Sequence, residues 1–113
     1  MQREPVIAVT LGDVRGIGPE IIEKALADDS VRASARFLLV GPTGTTLRVG
    51  EPIGEWTPHG DAALAGRLAG RSVERAVELA QSGAVQGIVT APLDKAALLA
   101  GGYDYPGHTE MLA

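Results

Sequence analysis

Apolar and polar positions along the chain fall into blocks that switch between strand and helix periods. Val6-Ile7-Ala8-Val9-Thr10-Leu11 is a continuous, partly β-branched run between Pro5 and Gly12, the pattern of a strand buried on both faces of a parallel sheet. Beyond a glycine-rich stretch, Pro19 stands at the first position of a predicted helix whose Ile21, Ile22, Ala25 and Leu26 form an inward stripe ending at Asp28-Asp29-Ser30. Phe37-Leu38-Leu39-Val40, closed by Gly41-Pro42, predicts a second parallel strand, so that residues 6–40 make a β-α-β unit. Residues 43–60 show neither period and are expected to form a surface connector, with Thr46-Leu47-Arg48-Val49 as a short strand candidate. A long helix follows with Asp61 as N-cap and Leu68, Ala69, Val73, Ala76, Val77 and Ala80 on one face. Ser82-Gly83 is its C-cap signal. Residues 85–90 predict a third strand broken at Ala91-Pro92, and Pro92 is expected to open a helix that runs through Leu99 to Gly101-Gly102.

Strands that alternate with helices imply an α/β fold, a mostly parallel sheet with helices on both faces. A length of 113 residues suits one core, with no complete second domain. Only one Trp, two Tyr and one Phe are present, so Val, Ile, Leu and Ala must fill that core. The net charge of -4 argues against a nucleic-acid protein or a polybasic membrane binder. With no cysteine, disulfides and thiolate metal sites are excluded. The first apolar run is too short for a signal sequence or membrane span, and a cytoplasmic location is the simplest expectation.

Chemistry gathers at the strand ends. Gly12-Asp13-Val14-Arg15-Gly16-Ile17-Gly18 lacks the third glycine of a dinucleotide fingerprint and the Gly-Lys-Ser/Thr of a phosphate loop. It serves either as a tight structural corner or as a turn that lets a ligand approach, with Asp13 at the carboxyl end of a strand, where open α/β sheets place their sites. Lys95, one of two lysines, lies either on an exposed helix face or within reach of an anion at that same edge. Pro106-Gly107 signals a turn before a helix start at His108-Thr109-Glu110. There Thr109 either caps the helix, or joins His108 and free backbone amides in binding a phosphate or carboxylate. His59, between Pro58 and Gly60, is expected to be a solvated loop residue, and Trp56 to pack beneath the loop. Arg71 with Glu74 and Arg75 with Glu78 stand three apart on the outer helix face and describe a solvated surface.

Taken in order, Leu11-Gly12-Asp13 with Gly16-Ile17-Gly18-Pro19-Glu20, then Thr90-Ala91-Pro92 with Lys95, then Gly107-His108-Thr109-Glu110 resemble the N-terminal part of the 4-hydroxythreonine-4-phosphate dehydrogenase family. The resemblance covers essentially residues 1–113. It implies an isocitrate/isopropylmalate dehydrogenase-like fold of which only the N-terminal part is present. It also implies a homodimeric oxidoreductase of vitamin B6 biosynthesis that passes hydride from a phosphorylated small-molecule substrate to NAD or NADP with a divalent metal (Zn, Mg or Co). Its substrate-binding His and Thr fall on His108 and Thr109, with Asp13 and Lys95 as a possible second tier. Metal ligands and most nucleotide contacts are expected downstream of Ala113, so the 113-residue polypeptide alone is expected to be inactive. Val14-Arg15 departs from the proline and small residue common in the family, which opens the related substrates 4-phosphothreonate and 4-phosphoerythronate, or an isopropylmalate-like acid. From a different class, the chain would be a stand-alone binding or assembly module that associates through the alanine face of residues 69–80.

Overall fold

The computed structural model describes residues 4–104 and Leu112; His108 and Thr109 lie outside the described residues. Among the described residues up to 104, the elements follow one another as β1 Val6–Thr10, α1 Gly18–Leu26, α2 Asp29–Ser34, β2 Arg36–Thr43, β3 Glu51–Glu55, α3 Ala62–Gln81, β4 Gly87–Thr90 and α4 Lys95–Ala100. The strands form one sheet in the order β3-β2-β1-β4, and every pairing is parallel. The β1, β2 and β4 ends therefore emerge side by side at one edge, as the sequence implied.

Period-two alternation divides the sheet's side chains between two layers. Ala8 and Val40, with Leu38 and Ile88 beside them, pack against Ala76 and Leu79 of α3, while Val9 and Leu39 meet Ile22 of α1 on the opposite face. The predicted stripe of α1 is only partly inward. Ile22 is buried and Leu26 half-buried, whereas Ile21 and Ala25 are exposed. These two line an apolar groove of about 330 Å³ with Val9, Phe37 and Val89, because the nine-residue helix covers too little of this face to close it.

Three boundaries differ from expectation, and one helix is additional. α1 ends at Leu26 with Ala27 as its C-cap, just before Asp28-Asp29-Ser30 as expected, but Asp28 then caps a further helix, α2, by accepting the Ser30 and Val31 amides at 2.9 and 3.2 Å. β2 runs on through Gly41-Pro42 to Thr43, with a register shift between Gly41 and Thr43, and a shift of this kind tolerates a proline that lacks an N–H. The strand of the connector is Glu51–Glu55 and not Thr46–Val49. Its short return is possible because β3 pairs only with the last part of β2, from Val40 to Thr43. α4 starts at Lys95, not Pro92, with Asp94 as its cap.

α3 begins and ends as predicted, with Asp61 accepting the Leu64 amide at 2.9 Å and Gly83 at φ +83° beyond its C-cap. Its alanines are not an association surface: Ala69 and Ala76 are 3% and 0% exposed, and Ala80 is packed against the same core. The assembly module is thereby corrected, because this chain's own sheet already occupies the face it needed. Trp56 is half-buried, and a Cβ at Gly60 would lie 2.5 Å from its ring. His59 is exposed. Arg75 bonds Glu78 at 3.0 Å and Glu51 of β3 at 2.8 Å, whereas Glu74 accepts the Tyr103 hydroxyl.

Candidate functional site

β1 leaves the sheet at Thr10 and enters α1 through residues 11–17. The backbone of this turn lies directly against the turn after β4. Ala91 donates its amide to the Thr10 carbonyl at 3.2 Å, and Asp13 donates its amide to the Pro92 carbonyl at 3.0 Å. Glycine permits the approach: Gly12 holds φ +71°, and a Cβ there would lie 2.4 Å from the Pro92 oxygen. A Cβ at Gly18 would meet the Leu11 oxygen at 2.3 Å. Gly16 is less constrained, with 3.4 Å to its nearest neighbour.

One cation straps the two turns together. Arg15 donates its backbone N–H to Asp13 Oδ1 at 2.8 Å, its Nε to the same oxygen at 3.1 Å and Nη2 to Oδ2 at 2.7 Å. The same Nη2 reaches Asp94 Oδ2 at 3.3 Å across 79 positions of sequence. Asp94 Oδ1 meanwhile accepts the Ala97 amide at 3.1 Å and so caps α4. The Asp13 side chain is 7% exposed, against 35% for Arg15 and 49% for Asp94. Burial pushes the Asp13 carboxyl up, but the Arg15 hydrogen bonds and charge outweigh it and hold the group below its ordinary value. The hydrogen bond to Asp13 in turn raises the Arg15 guanidinium. Together these residues and Ile17, Pro92 and Leu93 line a cavity of about 460 Å³.

Of the residues singled out from sequence, Asp13 is therefore in the wall of the cavity, while Lys95 is exposed at the start of α4 and is not among its lining residues. Sequence reasoning missed Asp94. Its signal was its position as a short acidic residue just ahead of the helical run 95–100, but nothing local tied it to Arg15. The chain leading toward His108 is anchored to α3 by Tyr103, whose phenol is pushed up by burial and by the Glu74 carboxylate. No group of three or more His, Cys, Asp or Glu among the described residues could hold a metal ion, and the Asp13 carboxylate is already occupied by Arg15. No helix among the described residues is long and apolar enough to cross a membrane.

Known proteins give this edge a context. Residues 20–113 match the family described as pyridoxal phosphate biosynthetic protein PdxA. A D-threonate 4-phosphate dehydrogenase of Cupriavidus necator is 41% identical, with 96% of this chain and 42% of the relative covered. A 4-hydroxythreonine-4-phosphate dehydrogenase of Synechococcus is 38% identical over 96% of this chain and 38% of its own length. The crystal structure of a 4-hydroxythreonine-4-phosphate dehydrogenase from Burkholderia phymatum superposes with a TM-score of 0.81 at 39% identity, covering 99% of this chain and 43% of that one. The chain thus spans about two-fifths of the length of these relatives. The family match over residues 20–113, together with the superposition at a TM-score of 0.81 and 39% identity, shows that the chain belongs to the PdxA family.

Proposed function

We propose that this chain is the substrate-anchoring N-terminal part of an NAD- or NADP-linked dehydrogenase that oxidises a 4-phosphorylated hydroxy acid. The observation that carries this reading is the meeting of the β1–α1 and β4–α4 turns at the sheet's carboxyl edge, beside a cavity of about 460 Å³, in a chain of the PdxA family. Ligands of open α/β sheets bind in that crevice. His108 and Thr109 hold the phosphate in this proposal, and the turns built on Gly12 and Gly18 supply a rigid wall. Fixing the phosphate orients the carbinol carbon, and orientation alone removes much of the entropic barrier to reaction. Oxidation of the hydroxyl gives a 3-oxo acid, which loses carbon dioxide. The described residues contribute by binding and orienting; they do not assemble a metal site, so the divalent ion and the nucleotide would be held by the part that the longer relatives possess.

Two substrates fit the relatives' names. 4-Phosphohydroxy-L-threonine would yield 3-amino-2-oxopropyl phosphate and place the protein in vitamin B6 biosynthesis. D-Threonate 4-phosphate carries a hydroxyl where the other carries an ammonium, and it is favoured by the 41% identity to the Cupriavidus enzyme. The whole protein, assayed with each substrate, a divalent metal and NAD or NADP, is expected to form reduced nucleotide with at least one. No reduction with either would overturn the proposal.

A further inference from the structure

We propose that Arg15 is a specificity-determining residue that favours the more anionic of these two substrates; the inference rests on the proposed function. The geometry holds Arg15 between two carboxylates, with Asp13 taking its Nε and Nη2 and Asp94 sharing Nη2, and leaves the side chain 35% exposed at the cavity. Its charge acts on a ligand in that cavity whether or not a guanidinium N–H touches it. Asp13, Arg15 and Asp94 lie together in the wall of one cavity and sum to one negative charge. Without the guanidinium they sum to two, with the first of them buried and unpaired.

The sign of the consequence follows from the substrates alone. Both carry a carboxylate and a phosphate of about two charges near neutral pH. The hydroxythreonine phosphate also carries an ammonium, which makes it one unit less negative than the threonate phosphate. Removing a positive charge from the cavity wall penalises both, and it penalises the threonate phosphate by one additional unit of interaction. Arg15 thus acts as a counterweight that admits the hydroxy acid and denies the amino acid an uncompensated acidic wall.

The test is a ratio, the kcat/KM for D-threonate 4-phosphate divided by that for 4-phosphohydroxy-L-threonine, measured in the whole protein. Arg15→Gln is expected to lower this ratio by about fourfold to about seventeenfold, the size of one unit-charge interaction at roughly 10 Å with an effective dielectric of about 40 to about 20. Arg15→Lys keeps the charge without the bidentate fork, and its ratio is expected to stay near that of the unaltered protein. The double change Asp13→Asn with Arg15→Gln restores the original charge sum and is expected to bring the ratio back. A ratio unmoved by Arg15→Gln, or equally low in the double variant, would overturn the assignment. If Arg15→Gln does not fold, Asp13→Asn alone decides: it makes the wall one unit less negative and is expected to raise the ratio, whereas a purely structural role lowers turnover of both substrates alike and leaves the ratio unmoved, which would overturn the assignment. A protein that oxidises neither substrate refutes the proposed function itself, an outcome distinct from turnover with an indifferent ratio.

Discussion

Thr10 closes β1 with a side chain that is 0% exposed, and its Oγ1 has no hydrogen-bond partner among the described residues. A buried hydroxyl without a partner keeps its desolvation cost of roughly 1–3 kcal/mol. Valine has nearly the same shape and β-branching, so Thr10→Val is expected to stabilise the protein by about 1 kcal/mol. The denaturant midpoint measures this, and a fall in midpoint would mean that the hydroxyl is bonded after all. The contrast with Asp13 is instructive. There a far more costly charge is buried one turn away, but three donor contacts from Arg15 satisfy it. Position 13 was legible as a strand-end carboxylate. Its neutralisation was only half legible, since Arg15 is two residues away while Asp94 is 79 from Arg15, a distance no local pattern bridges.

At the scale of elements, α3 and α4 touch backbone to backbone. A Cβ at Gly66 would stand 1.7 Å from the Ala97 oxygen, and one at Gly101 would stand 2.3 Å from the Arg67 nitrogen. Alanine in place of glycine inside a helix usually gains about 0.5–1 kcal/mol. Here the sign reverses, because α4 must move away: Gly66→Ala is expected to cost about 2 kcal/mol or more, read as a lowered urea midpoint. Long, amphipathic elements with caps were legible. Asp61 and Gly83 bounded α3, and the β-branched run of β1 announced a strand buried on both faces. The edges of the sheet were not. β3 contains Pro52 and Gly54, residues that read as loop and are tolerated in a strand only where one side lacks a partner. α2 has six residues and none of them buried, so it leaves no apolar period to detect.

For the whole molecule, a parallel sheet ordinarily has both faces covered, yet one face here keeps an apolar groove in which Val89 is 53% exposed. His108 and Thr109, expected from the motif to bind substrate, lie outside the described residues. The described residues offer neither a metal cluster nor a dinucleotide fingerprint. The 113-residue polypeptide on its own is therefore expected to reduce no NAD or NADP with either substrate, whereas the proposed function expects the whole protein to do so with at least one. Turnover by the isolated polypeptide in a spectrophotometric assay would contradict this.

Asp94 gives one oxygen to the first turn of α4 and the other to Arg15. Most substitutions at this codon would be felt at once in the start of a helix and in the charge beside the cavity. Asparagine alone of the near neighbours keeps the acceptor that starts the helix while giving up the charge, so it is the change through which the two duties could drift apart.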